Sequence, residues 1–312
     1  MSDFKYIADI SEQYLDEAVV VPCRNEQGFQ TILIKNASQK RISSFFATDN
    51  LSIKLDKVLL KGEKEYFVHI IESKKTDGFA AQQFQVIYDY IFGKITDPIS
   101  SVDLFNLISS LEEYFRLTPD PNRKKVQIGV FGELLSLCYL YESGFPEILN
   151  KYHNDFFSKH DIEISSSVRL EVKTTTGDKR IHHFRHDQIC RKDIDVYVLS
   201  VLLEASQEGL TLYDLFMRVI GMVMDPDKKF ALKKLMVRCA VSEEDKGLSF
   251  SESLAYSKIR IFDGKVLPKI KDEIPNGVSA IEYDVDCSLA KEMNVQDAIG
   301  IMVLNNVTIN QD

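Results

Sequence analysis

The sequence predicts an α/β protein with a central α/β core, an N-terminal α+β lobe and a C-terminal α+β extension. Two observations predict this class. Hydrophobic periodicity over residues 126–204 indicates the order helix, strand, strand, short helix, strand. A segment with two prolines and three basic residues, TPDPNRKK at 118–125, separates this order from a strand-rich beginning. We therefore expect domains at residues 1–120, 121–210 and 211–312.

The composition restricts the classes of function. The 312 residues include 38 Lys plus Arg against 47 Asp plus Glu, a formal net charge of −9. Proteins that coat nucleic acid are normally basic, so this activity is excluded, although a local basic face is not. The five cysteines are widely spaced without a CxxC pair, which is typical of a reducing cytoplasm rather than a disulfide framework or zinc ribbon. No leader or membrane-length apolar run is visible, so we expect a soluble cytoplasmic protein without membrane contact.

The two outer lobes are expected to contain both strands and helices. In the N-terminal lobe, apolar patterns predict strands at 18–23, 29–36, 51–60 and 65–73, and helices at 78–93 and 101–116. In the C-terminal extension, they predict helices at 212–223 and 227–241, and strands near 253–262 and 278–285.

The central core begins with an apolar helix predicted over residues 126–143, in which Glu133 is the only charged residue up to position 141. A buried carboxylate is costly unless it is paired, neutralised or bound to a cation. The alternative is a glutamate at a wetter helix edge, paired with an arginine or lysine. Gly129 and Gly132 each lower helix propensity, which predicts the close approach of another backbone.

Two short strands are predicted after this helix, at residues 161–164 and 168–175, joined by an SSS turn. A turn centred on Ser166 places residues opposite each other when their numbers sum to 332. Asp161 then faces Glu171. Two carboxylates at ~5 Å destabilise a sheet unless positive charge lies between them.

The same register places Glu163 opposite Arg169, as an ordinary cross-strand ion pair. Lys173 lies two residues beyond Glu171, on the same face and ~7 Å along the strand. Two hard oxygen donors beside a lysine suit Mg²⁺ and a phosphodiester. The metal would polarise the phosphoryl oxygen, and the lysine would orient water or offset the developing charge.

The Glu-x-Lys spacing occurs at Glu72/Lys74, Glu171/Lys173 and Glu244/Lys246. The last of these lies in a polar loop without a strand. The first is a competing site, because Asp56 could face Glu72 across a hairpin centred on KGEKE. Two long helices follow that motif, whereas a short basic helix and an apolar strand at 193–204 follow Lys173. This context favours the site in the central core.

The segments GVFGELLSLCYL, HDIEI, RLEVKTT and HHFRHDQI resemble the PD-(D/E)xK phosphodiesterase superfamily. More narrowly, they resemble a prokaryotic branch found with restriction and anti-phage defence genes. The resemblance covers most of the chain, with the motifs concentrated in residues 126–204. It implies a restriction-endonuclease-like core made of a helix, a three-strand mixed sheet, a helix and a further strand.

The resemblance also implies roles for individual residues. Asp161 and Glu171 would bind Mg²⁺, with Mn²⁺ as a substitute, and Glu133 would join the metal ligands. Lys173 would be the catalytic lysine, and Gln188 would be the accessory polar residue of the following helix. This sequence has His160 where the superfamily name has proline.

The segment KRIHHFRHDQICRK at 179–192 contains five basic residues against Asp187 alone, and is expected to include a short helix. We expect it to bind a phosphate backbone beside the carboxylates. Its candidate nucleic-acid-binding residues are Lys179, Arg180, His183, Arg185 and Arg191. The alternatives are a solvated helix face, or a zinc site in which His183, His186 and Cys190 share a helix face. The RKK at 123–125 either extends the positive surface or is linker charge.

No Walker A loop, GxGxxG, GxSxG or HExxH motif occurs, so ATPase, dinucleotide, serine-hydrolase and zincin functions have no support. We interpret the sequence as a Mg²⁺-dependent endonuclease acting on DNA in a prokaryotic defence system. Other defence subunits are candidate partners, and a homodimer is the default. The alternative is a catalytically inactive nucleic-acid-binding or adaptor subunit of a defence complex.

Overall fold

The computed structural model describes most of the chain. The described residues are 5–39, 44–47, 51–76, 78–109, 122–152, 160–191, 193–270, 275, 277–278 and 280–307. Two compact units are present, one from Met1–Pro119 with Lys233–Arg238 and the other from Asp120–Leu232 with Cys239–Asp312. The three domains expected from the sequence stay a prediction. Residues 211–312 lie mostly in the same unit as the expected core. Among the described residues, no helix is long and apolar enough to cross a membrane.

The first unit contains a six-stranded sheet with the order β1-β2-β3-β6-β5-β4. Its strands are β1 (Lys5–Tyr6), β2 (Val20–Arg24), β3 (Gln30–Lys35), β4 (Ser44–Ala47), β5 (Leu51–Lys61) and β6 (Lys64–Ser73). Its helices are α1 (Glu12–Glu17), α2 (Gly78–Lys94) and α3 (Ser101–Ser109). The predicted strands therefore correspond to β2, β3, β5 and β6. The end of the helix predicted at 101–116 lies outside the described residues.

The competing Glu-x-Lys motif does not form a second carboxylate pair in this sheet. Glu72 lies opposite Ser52, and its carboxylate is 2.5 Å from the Lys54 ammonium. Asp56 lies where the register of β5 against β6 shifts, with a φ of 52°. Its carboxylate accepts a hydrogen bond from the Asn36 side chain. The hairpin turns between Lys61 and Lys64, which pair with each other, so Glu72 lies opposite a residue four positions before Asp56 and the two acids do not face each other.

The second unit contains a four-stranded mixed sheet with the order β13-β10-β8-β7. The strands of this unit are β7 (Ile162–Glu163), β8 (Val168–Thr175), β9 (Ile181–Arg185), β10 (Asp195–Leu202), β11 (Ala205–Thr211), β12 (Ser249–Phe250), β13 (Arg260–Asp263) and β14 (Glu282–Asp286). The remaining helices are α4 (Arg123–Glu142), α5 (Ile148–Lys151), α6 (His186–Ile189), α7 (Leu212–Met222), α8 (Pro226–Arg238), α9 (Glu252–Lys258) and α10 (Val295–Val307). β8 is parallel to β10, while β7 and β13 are antiparallel to their neighbours.

The β7–β8 hairpin has the register predicted from the SSS turn. Ile162 pairs with Leu170 and Glu163 with Arg169, so the residue numbers of each pair sum to 332. The Glu163 and Arg169 side chains are 3.4 Å apart. Ile162 and Leu170 are fully buried, because the apolar face of this hairpin packs into the core. Burial of alternate apolar residues fixes the register, since a slip by one residue would expose them.

Helix α4 is buried along most of its length, as expected from its composition. Phe131, Leu134 and Leu135 are fully buried. A Cβ atom at Gly132 would lie 1.8 Å from Oγ1 of Thr174 in β8. The predicted close approach at Gly132 is therefore present, although a side chain makes it. At Gly129 the prediction is wrong, because a Cβ there would meet nothing within 4 Å.

Two segments differ in secondary structure from the prediction. The first half of the basic segment forms strand β9, whose residues alternate between exposed and buried, and only α6 is helical. The start of the strand predicted at 253–262 is instead helix α9, which follows Ser251 as its N-cap residue. The elements that were not predicted are strands β1, β4, β11 and β12 and helices α1, α5 and α10. Pairing of β9 with β14, which is remote in sequence, stabilises the extended conformation.

Candidate active site

The five catalytic residues predicted from the sequence lie around one pocket of about 930 Å³ in the second unit. Four of them come from three elements, with Glu133 on α4, Glu171 and Lys173 on β8, and Gln188 on α6, and the fifth, Asp161, immediately precedes β7. The structure therefore brings together residues that are up to 55 positions apart in the sequence.

Glu171 is at the centre of the hydrogen-bond network. Its residue is 2% exposed, so its carboxylate requires partners from the protein. Oε1 lies 2.8 Å from the Lys173 ammonium and accepts a 2.8 Å hydrogen bond from the Gln188 amide. Oε2 lies 3.2 Å from Nδ1 of His160, which is itself 3% exposed. These contacts fix the orientation of the Glu171 carboxylate.

Gln188 connects the helix α6 with the carboxylate and the lysine. Its Oε1 accepts hydrogen bonds from the Lys173 ammonium at 3.4 Å and from the backbone N–H of Arg185 at 3.0 Å. The second bond closes the capping box of α6, so the side-chain direction is set by the start of the helix. The amide is consequently oriented with its oxygen towards Lys173 and its nitrogen towards Glu171.

The Lys173 ammonium also contacts an aromatic ring. Its side chain is 18% exposed, and the ammonium lies 4.9 Å from the centre of the Phe184 ring. Phe184 is fully buried in β9, so the ring position is fixed by the core. The cation–π contact and the Glu171 ion pair together hold the ammonium at the pocket wall.

Asp161 lies in an electrostatic field dominated by other acids. Its residue is half-buried, and its carboxylate accepts a 2.7 Å hydrogen bond from the backbone N–H of Val172. Burial raises the pKa of Asp161 well above its usual value, and the charges of Glu171 and Glu133 raise it further. The Val172 N–H and the Lys173 charge oppose this rise only in part. Carboxylates crowded in this way gain stability when a cation joins them.

Glu133 is half-buried, although the sequence predicted a buried helix, and it accepts a hydrogen bond from a tyrosine. The hydroxyl of Tyr152 donates a 2.7 Å hydrogen bond to its Oε2. Burial, followed by the charge of Glu133, raises the pKa of Tyr152 well above its usual value, so this hydroxyl keeps its proton. Sequence reasoning did not identify Tyr152, which lies outside every motif. Its buried position next to β7 becomes evident only in the fold.

The donor set fits a hard divalent cation in its chemistry. Carboxylate oxygens are the ligands that Mg²⁺ and Mn²⁺ prefer, and the carboxylates of Glu133, Asp161 and Glu171 line one pocket. Among the described residues, however, no three His, Cys, Asp or Glu side chains stand in a ready metal-binding arrangement. The Glu171 and Glu133 oxygens instead accept bonds from Lys173, Gln188 and Tyr152. A bound cation would therefore replace some of these hydrogen bonds and ion pairs.

Most of the basic residues predicted to bind nucleic acid form ion pairs or hydrogen bonds within the protein. Arg180 donates hydrogen bonds to the hydroxyl and carbonyl oxygens of Ser200 and to the carbonyl oxygen of Lys258. The other pairs are His183 with Glu282 and Asp284, Arg185 with Asp187, and Arg191 with Asp193. Lys179 is exposed. Of these five predicted residues, His183 is the one that lines the pocket.

The zinc alternative assumes that His183, His186 and Cys190 lie on one face of a helix, and this assumption is wrong. His183 belongs to strand β9, whereas His186 begins helix α6, so these side chains do not share a helix face with Cys190. Nδ1 of His186 lies 3.2 Å from the Tyr283 hydroxyl, and the Cys190 sulfur lies 3.6 Å from it. These contacts anchor α6 to strand β14.

The basic residues that do line the pocket include the RKK segment at the start of α4. They are Arg123, Lys124 and Lys125, together with Lys173 of β8 and with His182 and His183 of β9. His182 is 4% exposed and its Nε2 lies 2.7 Å from the Ser200 hydroxyl. Burial lowers its pKa to about 4, with the charges of Lys173 and Arg180 contributing, so the ring is neutral near pH 7. The positive charge at this end of the pocket therefore comes from the RKK segment.

One protein family matches the chain. A family model with the description "Putative PD-(D/E)XK family member, (DUF4420)" matches residues 21–288, and this range includes every residue of the pocket. No curated protein and no solved structure matches the chain.

Proposed function

Because the chain belongs to the DUF4420 family of PD-(D/E)XK proteins, we propose that it is a metal-dependent endonuclease that hydrolyses phosphodiester bonds in DNA. The observation that supports this most is the direct contact of Glu171 with both Lys173 and Gln188, in one pocket with Asp161 and Glu133. The resemblance of the core motifs extends the proposal to a prokaryotic restriction or anti-phage defence system. A homodimer and contacts with other defence subunits belong to the same proposal.

In this proposal Asp161, Glu171 and Glu133 hold Mg²⁺, for which Mn²⁺ can substitute. When bound, the ion supplies positive charge that polarises the phosphoryl group and lowers the pKa of a water. Lys173 donates a hydrogen bond to a phosphate oxygen and offsets the negative charge that develops there. Gln188 keeps the ammonium and the Glu171 carboxylate in their relative positions. The buried Phe184 ring limits the access of water to the ammonium from behind.

Incubation of the protein with supercoiled plasmid tests this proposal. We expect nicked circles to form with Mg²⁺ or Mn²⁺, and not when EDTA has removed the metal, because the carboxylates alone cannot supply the positive charge. The matched variant is Asp161→Asn, which preserves the size of the side chain. Nicking that continues in EDTA would contradict metal dependence, and nicking that survives Asp161→Asn would contradict the site.

A non-cleaving nucleic-acid-binding or adaptor subunit is the second candidate. The observation that favours it is that the site carboxylates bond to protein groups, with no ready metal-binding arrangement among the described residues. The same assay separates the two functions when DNA and RNA substrates are both included. Retained binding without any cleavage would favour the adaptor.

Gln188→Ala is expected to lower the nicking rate by roughly 10- to 100-fold, the usual cost of losing a group that orients a metal ligand. The variant loses the hydrogen bond to Glu171 and the bond that holds Lys173 in place. Initial rates at several Mg²⁺ concentrations measure this effect, and a higher Mg²⁺ requirement is expected. Gln207→Ala is the control, since this glutamine is exposed on β11. Equal rates for the two variants would exclude an orienting role of Gln188.

A further inference from the structure

We propose that Lys124 and Lys125 form a phosphate-binding subsite that holds the nucleic-acid backbone next to the bond to be cut. The inference deepens the proposed nuclease function, because it names the part of the substrate that this end of the pocket binds. Both lysines line the pocket that contains Glu133, Asp161 and Glu171. Both residues are also exposed, so a nucleic acid can reach them from solvent.

The two lysines differ from their neighbour Arg123 in what they contact. Arg123 is fixed by a 2.6 Å ion pair with Asp245 and by a hydrogen bond to the carbonyl oxygen of Ala240. Within the described part of the chain, the ammonium groups of Lys124 and Lys125 have no ion pair and no hydrogen bond to protein. Arg123 therefore anchors the start of α4, while the next two residues keep their charges available.

The electrostatic surrounding of the lysines favours an anion. The first turn of α4 has no acidic residue, and the Asn122 side chain makes no capping hydrogen bond there. The helix is 20 residues long, so its dipole adds a modest positive contribution at this end. The acids of the pocket are on a later turn of α4, on β8 and just before β7, and they are half-buried or buried, whereas the two lysines are exposed. Positive charge therefore lies at the solvent-exposed start of α4, and negative charge lies at less accessible positions.

The spacing along α4 relates the subsite to the cleavage site. Glu133 follows Lys125 by eight residues, which is about 12 Å along a helix axis. The two lysines and the site carboxylates are therefore close enough for one nucleic-acid strand to contact both. The predicted surface at 179–191 differs, because acids of the same protein pair with most of its charges. The backbone is therefore expected to approach along α4.

Binding of a fluorescein-labelled DNA duplex, measured by anisotropy, tests the subsite. The measurements use Asp161→Asn as the parent protein, so that cleavage does not enter the result and failure of the proposed nuclease function stays distinguishable. Adding Lys124→Ala and Lys125→Ala is expected to weaken binding about 30-fold near 0.15 M salt. The slope of log K against log salt should fall by about 1.8, the value for two lost phosphate contacts.

A second pair of substitutions removes the same charge elsewhere. Lys265→Ala with Lys291→Ala serves this purpose, because both lysines are exposed in the same unit and lie outside the pocket lining. Circular dichroism establishes that each variant is folded. The proposal is overturned if both pairs weaken binding equally, if Lys179→Ala with Arg185→Ala has the larger effect, or if the parent binds neither duplex nor single-stranded DNA.

Discussion

Replacement of Lys173 by arginine is expected to reduce plasmid nicking by about 10²- to 10³-fold, the usual cost of removing one well-placed donor to a developing negative charge. Arginine keeps the positive charge beside Glu171, which is nearly fully buried and requires a cationic partner. Its planar guanidinium cannot reproduce the position of the ammonium between Glu171, Gln188 and the Phe184 ring. We therefore expect a folded protein with a slow chemical step.

Alanine at the same position is expected to have a further cost in stability. It leaves the Glu171 carboxylate without its ion-pair partner, and breaking a buried pair typically costs about 3–5 kcal/mol. Initial nicking rates and urea unfolding, measured on both variants, separate the loss of chemistry from the loss of folding. If Lys173→Arg had both full stability and full activity, this result would contradict a donor role that depends on the position of the ammonium.

The competing Glu-x-Lys motif supplies a matched control. Lys74→Ala changes the lysine of the same three-residue pattern, but this residue is exposed and Glu72 pairs with Lys54. We expect the nicking rate of this variant to equal that of the unchanged protein. A loss comparable to that of the Lys173 variants would contradict the assignment of the site to the central core.

The sequence was sufficient for the features that local chemistry determines. The β7–β8 register follows from a short serine turn and from apolar residues at alternate positions, so Ile162 and Leu170 could be paired from their numbers alone. The family was likewise recognisable, because its motifs lie within single elements or in adjacent ones. The carboxylates, lysine and glutamine of the pocket are all parts of those motifs.

Features that depend on remote contacts could not be predicted. The charge of the basic segment was counted over neighbours in sequence, whereas Glu282 and Asp284, which pair with His183, lie about 100 residues away along the chain. The same strand, β14, also holds β9 in an extended conformation where a helix was expected. The residues IHHFR of β9 have no alternating apolar pattern that would indicate a strand, because Ile181 is exposed and His182 is buried. Tyr152 and the position of Asp56 in a bulge had no sequence signal either.

Gly132→Ala is expected to lower the free energy of unfolding by about 1–3 kcal/mol, the usual cost of inserting a methyl group into a packed interior. The new Cβ would lie 1.8 Å from Oγ1 of Thr174 and 2.9 Å from both carbons of that side chain, so α4 and β8 must separate. Gly129→Ala is the matched control on the same helix. No atom lies within 4 Å of its added Cβ, so it should gain up to about 1 kcal/mol from helix propensity. Urea unfolding measures both changes.

The cause of the Gly132 effect can be isolated by removing the atoms that the methyl group meets. Thr174→Ala deletes Oγ1 and Cγ2, so the double variant with Gly132→Ala should recover much of the lost stability. Because Thr174 directly follows Lys173 on β8, separation of this strand from α4 also moves Glu171 and Lys173 away from Glu133. The nicking rate should therefore fall in Gly132→Ala and recover in the double variant. Additive losses of stability would show instead that the cost arises elsewhere than in this helix–strand contact.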